Sequence, residues 1–187
     1  MVQKASTRLK FKDVWTFPYE VEKRIAEFVT KHPGVWLHAP VGISKIGLGS
    51  FDKTVKMITL DKDAELKPDI VCDIFKMNEE PTIKKFVEAG GFDGVISDPL
   101  WYRTLKCSKC GNIMENPIGL AYPDRRYLSF QVRDVLKPGG WWLFNGLWNP
   151  KVKGFSIKKI ETPIQAFSSF RNVSLLVYCQ RVNEKLV

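Results

Sequence analysis

Histidine and cysteine are scarce in this chain, with two of the first and four of the second. A closed structural zinc site takes four ligands. His32 and His38 have no paired spacing, and Cys72 and Cys179 fall in apolar segments that read as core strands. One chain therefore does not supply a complete site by itself. Long apolar runs are also missing; nothing approaches the ~20 residues of a membrane-spanning helix. Met1-Val2-Gln3-Lys4 leads into a charged segment without the apolar core of a signal peptide, so an intracellular, cytoplasmic protein is expected. Internal repeats and low-complexity segments are absent, and no stretch stands out as a separate target-recognition domain.

What is present fits one folded domain. The chain has 187 residues, 44% of them hydrophobic and 12% aromatic, enough to bury a sizeable core. Lys and Arg number 29 against 20 Asp and Glu, a net charge of +9. Basic residues recur in 4–12, 103–109, 125–133 and 151–159. That balance points to a polyanionic partner, nucleic acid, over a merely solvated lysine-rich surface.

Residues 1–16 read as a basic arm anchored by Trp15, and 17–187 as a single domain. Val21, Ile25, Phe28 and Val29 recur at helical spacing after Pro18, and Pro33-Gly34 ends that helix. Residues 35–40 read as a buried first strand, followed by a loop over 41–49 and a second strand over 55–60 that ends at Asp61. Nineteen residues separate Gly42 from Asp61, the span of a turn, a crossover and a return strand. A carboxylate there can accept from ribose hydroxyls, both of them donors. Residues 69–74 read as a third strand carrying Asp73, and Pro81 opens a helix with Ile83, Phe86 and Val87 on one face. Val95-Ile96 forms a short apolar strand that stops at Asp98-Pro99, followed by Leu100, Trp101 and Tyr102. An acceptor, a main-chain carbonyl and large rings can together grip a flat heterocycle. Asp124 can cap a helix bearing Leu128, Val132, Val135 and Leu136; the turn 137–140 then leads into the strand Trp141-Trp142-Leu143-Phe144. Strand candidates at 155–160 and 173–182 complete the chain. Strands alternating with helices up to Asp98 argue for a parallel sheet with right-handed crossovers.

Asp98-Pro99-Leu100-Trp101 resembles the (Asp/Asn/Ser)-Pro-Pro-(Tyr/Phe/Trp) signature of the amino-group methyltransferases that act on adenine N6 or cytosine N4. Leucine stands in place of the second proline. Leu-Lys-Pro-Gly-Gly before an apolar strand extends the likeness to the class I S-adenosylmethionine-dependent methyltransferases over roughly residues 34–182. In their acid-x-Gly-x-Gly-x-Gly loop, His38 takes the acid's place, Pro40 the first glycine's, Gly42 the second's and Ser44 the third's. The resemblance implies an α/β, Rossmann-like fold: a seven-stranded, mostly parallel sheet with helices on both faces and an antiparallel C-terminal hairpin strand. It also implies S-adenosylmethionine as cofactor, held by His38, Ala39, Pro40, Gly42, Asp61, Asp73, Ile74 and Asp98. Asp73 would accept from the cofactor's adenine amine, with Ile74 packing on the ring. Asp98, Pro99, Trp101 and Tyr102 would form the catalytic set.

The 103–123 insertion shows little periodicity and holds Cys107-Ser108-Lys109-Cys110, which looks like one knuckle of a zinc ribbon. Zinc completed by another protomer, a local disulfide and free thiols all remain open for Cys107 and Cys110; a homodimer or a partner subunit is also expected. The expected activity is methylation of an exocyclic base amine, adenine N6 foremost. The rival expectations are a methyltransferase for a protein or small molecule, and a non-catalytic nucleic-acid-binding protein on a degenerate methyltransferase fold.

Overall fold

The structure, a computed structural model, describes residues 19–42, 46, 51, 53–98, 104–106, 113–115, 124–146, 153–162 and 175–182. It begins with α1 (Tyr19–Lys31), which buries Val21, Ile25 and Val29 as the spacing predicts. The strands β1 (Gly34–His38), β2 (Val55–Asp61) and β3 (Ile70–Val71) follow, then α2 (Pro81–Glu88) and β4 (Phe92–Ser97). A small hairpin of β5 (Thr104–Lys106) and β6 (Ile113–Glu115) leads to α3 (Asp124–Val135), β7 (Leu136–Gly146), β8 (Phe155–Glu161) and β9 (Leu175–Arg181).

Seven strands form one sheet in the order β3-β2-β1-β4-β7-β9-β8. The strands from β3 to β7 in that order pair in parallel. β9 lies antiparallel between β7 and β8, so β8 runs with the parallel set. One face packs Leu37, Val95, Trp142 and Phe144 against Ile83 of α2 and Leu128, Val132 and Val135 of α3. The other packs Trp36, Ile96, Leu143 and Leu176 against α1. This is the Rossmann-like architecture expected, with helices on both faces and the last strand pair antiparallel. Gly94 is a glycine in mid-strand because Trp36 lies across it; a Cβ there would sit 2.2 Å from the indole ring.

Several expectations are corrected. The third strand covers only Ile70–Val71, not 69–74. Asp69 is tied instead to Thr59, accepting from its N–H at 2.8 Å and its hydroxyl at 2.7 Å. Asp73 turns the chain into a 3-10 segment, Ile74–Glu79, by accepting the Phe75 N–H at 3.0 Å. Cys72 therefore lies past the strand and is half-buried; burial, with Glu80 and Asp73 nearby, pushes its thiol up. Val87, expected on the buried face with Ile83 and Phe86, is exposed instead. The residues read as a turn at 137–140 belong to β7 as a bulge: Phe92 pairs with Leu136, then Gly94 with Trp141. The insertion read as aperiodic contains the β5–β6 hairpin; its pairing is too short to leave a periodic trace. The arm 1–16 lies outside the described residues.

Candidate functional site at the carboxyl edge of the sheet

The direction of travel reverses at β1: β2 and β3 lie on one side, β4 and β7 on the other. In open α/β sheets the crevice for ligands forms at this switch point, beyond the carboxyl ends of the strands. The chain keeps bonding across that edge, with Ala39 N–H to the Ile96 carbonyl at 2.9 Å and Val41 N–H to the Leu60 carbonyl at 2.9 Å.

Asp61 is the last residue of β2 and only 5% exposed. Its Oδ2 accepts the Gly42 N–H at 3.0 Å and its Oδ1 the Asp63 N–H at 3.0 Å. The carboxylate thus pins the glycine loop to the end of β2. Gly42 adopts φ +53°, a conformation glycine takes readily, and this lets its N–H turn toward Asp61. Asp98 follows β4 directly and is half-buried. Asp73 follows β3 and is half-buried too, capping the 3-10 segment. All three predicted acids leave the same edge of the sheet, from β2, β3 and β4.

The other predicted residues divide. Ala39 is fully buried in the core on the α2–α3 side, and Ile74 sits 3% exposed in the same core. Pro40 and Gly42 are half-buried at the edge. His38 stands in register between Thr59 and Ile96, and Ile96 places it on the α1 face. Burial lowers its pKa to about 3, so the ring is neutral near pH 7. Pro99, Trp101, Tyr102, Cys107 and Cys110 lie outside the described residues. Among the described residues no group of three or more His, Cys, Asp or Glu side chains could hold a metal ion. No helix among them is long and apolar enough to cross a membrane.

Three features of this edge lie beyond the sequence expectations. Just below Asp98, Trp142 Nε1–H donates to Ser97 Oγ at 2.7 Å, both groups buried, which braces β4 against β7. The next residue of β7 on the α1 side is Asn145, 4% exposed. A polar residue closing the apolar run 141–144 and preceding Gly146 was the available signal. Farther along the same edge, Glu161 ends β8 and accepts from Tyr178 Oη at 2.9 Å, pairing also with Arg24 at 3.2 Å and with Lys159. Burial opposes ionisation of Glu161, but these hydrogen bonds together hold its carboxyl below the usual range. Burial and the facing carboxylate push Tyr178 up.

No protein-family profile matches the chain, and no curated protein matches it significantly in sequence. Solved structures do match. The 1,6-didemethyltoxoflavin-N1-methyltransferase of Burkholderia thailandensis, bound to 1,6-didemethyltoxoflavin and S-adenosylhomocysteine, superposes with a TM-score of 0.57 at 9% identity, over 87% of this chain and 79% of that one. The N-methyltransferase NodS of Bradyrhizobium japonicum gives 0.56 at 10% identity, over 88% and 98%. An rRNA methylase of Streptococcus thermophilus gives 0.50 at 9% identity, over 89% and 97%. The fold is therefore the one used by S-adenosylmethionine-dependent methyltransferases.

Proposed function

We propose that the chain is an S-adenosylmethionine-dependent methyltransferase acting on an exocyclic amine of a nucleic-acid base, adenine N6 in the first place. The observation that carries this reading is the position of Asp61 and Asp98 on the two sides of the switch point, at the carboxyl ends of β2 and β4. Asp61 is anchored by two N–H groups and, as a carboxylate, has acceptor capacity left for ribose hydroxyls. Asp73 offers a second acceptor at the end of β3. S-adenosylmethionine bound along this edge would supply an electrophilic methyl group on a sulfonium centre. Asp98 would accept an N–H of the base amine and aim its lone pair, then receive the proton released on transfer. An aromatic amine is a poor nucleophile, so alignment carries much of the rate. Trp101 and Tyr102 would offer stacking surfaces for an extruded base.

Nucleic acid as substrate is supported by the net charge of +9 and by the surface of α3. Tyr127 and Phe130 are exposed there, beside exposed Arg126, and Tyr127 stacks on Phe75 with centroids 6.1 Å apart. Rings flanked by guanidinium groups suit single-stranded bases and their phosphates. The likeness to an rRNA methylase points the same way, and the likeness to two N-methyltransferases fits a nitrogen acceptor.

The test is methyl transfer from labelled cofactor to nucleic acid. Asp98→Ala is expected to lose about 100-fold or more in kcat while melting cooperatively; undiminished transfer eliminates the assignment. One observation favours a second reading. The Asp61 carboxylate is nearly buried and already engaged by Gly42 and Asp63, as in a non-catalytic nucleic-acid-binding protein that kept the fold without the cofactor.

A further inference from the structure

Asn145 has no task in the chemistry just described, yet it is placed at unusual cost. It is 4% exposed, and its Oδ1 is buried without a hydrogen-bond partner. An unpaired buried acceptor forfeits its hydration with nothing in return, so an apolar residue would serve the resting fold better. Its main chain is in order, being paired in register with Leu176 of β9. Only the side-chain Oδ1 is unmet.

The register shows what it stands beside. Ser97 and Phe144 form the last rung between β4 and β7, and Asp98 and Asn145 each follow that rung by one residue. Adjacent strands lie about 4.8 Å apart, so the two backbones leave the rung as neighbours. Leu143, two residues before Asn145, packs on the α1 side, and Leu176 beside it does the same. Alternation along the strand sends the Asn145 side chain to that side. Ile96 also packs there, and the same alternation continued past Ser97 brings Asp98 with it.

We propose that Asn145 Oδ1 is a substrate-reading acceptor. The base amine carries two N–H groups; Asp98 takes one and Asn145 takes the other, a place the resemblance gave to the Pro99 carbonyl. The substrate class follows from the chemistry. An acceptor that is unpaired in the resting protein gains a partner from an amino-substituted ring and repels the oxygen of a keto-substituted one. Asn145 is thereby a specificity-determining residue that selects adenine-like or cytosine-like edges over their deaminated counterparts.

This inference rests on the methyltransferase reading for its substrate but fails separately from it. Two single-stranded oligonucleotides, identical except for one adenine replaced by purine lacking the 6-amine, are titrated by fluorescence anisotropy with S-adenosylhomocysteine present. The wild-type protein is expected to prefer adenine by about tenfold. Asn145→Leu should reduce the preference to about twofold, with a melting temperature equal to or above that of the wild type. Should the leucine variant fail to melt cooperatively, Asn145→Ala is read in its place. A preference kept by the variant overturns the proposal, as does equal binding, or no binding, of the two oligonucleotides by the wild type. Loss of the methyltransferase reading has a different signature: no stabilisation by S-adenosylhomocysteine in either protein, whatever the base preference.

Discussion

His38 binds no proton in the folded state until the pH approaches about 3, because the ring is fully buried in the sheet. In the unfolded chain it takes up a proton near the ordinary value of 6.5. The unfolded state thus binds more protons between those values, so stability falls as pH drops through that window. The loss attributable to this residue is on the order of 3 kcal/mol by pH 4. Thermal melts from pH 7 to pH 4 should show the decline, and His38→Gln should flatten it; an unchanged slope contradicts the buried neutral ring. Ser97 offers a second test at this scale. Ser97→Ala leaves the buried Trp142 N–H without its acceptor and should cost about 1–3 kcal/mol by urea unfolding. Asp61→Ala removes a charged acceptor from two N–H groups, so about 2–4 kcal/mol of stability should go with any cofactor affinity.

Elements were legible where one face of a long segment repeats. α1 and β2 lie within a residue or two of their expected bounds, since each carries enough apolar positions to fix its own period. β8 and β9 hold as well. Strands defined by a partner were not legible. β3 is two residues long because Leu60 and Asp61 alone pair with it, and Asp69 is diverted to Thr59. The hairpin of β5 and β6 is likewise a matter of pairing, not of pattern. At the site, Asp61 and Asp98 could be read as acids ending apolar strands, whereas Asn145 becomes meaningful only through its register beside Asp98. Element packing makes its own prediction at Gly94. Gly94→Ala drives a methyl into the Trp36 ring and should destabilise by about 1–3 kcal/mol in denaturant melts. A neutral result would mean that Trp36 is free to move aside.

At the scale of the molecule, the strand order β3-β2-β1-β4-β7-β9-β8 gathers distant parts of the chain onto one edge. Residues 61, 73, 98, 145 and 161 all lie near the ends of strands or just past them there, although the segments between them differ widely in length. Strands and helices alternating along the chain set the class of fold; the parallel register brought those residues to a common edge. The net charge of +9 acts at this scale too, predicting that affinity for an oligonucleotide falls steeply between 50 and 200 mM salt in anisotropy titrations. Cofactor binding is the claim on which the rest depends. The direct measurement is the melting temperature of the wild-type chain with and without S-adenosylhomocysteine, beside the Asp61→Ala variant. Saturating ligand should stabilise the wild type by about 2–4 kcal/mol and the variant by much less. Identical melting of the wild type with and without the ligand would contradict the account.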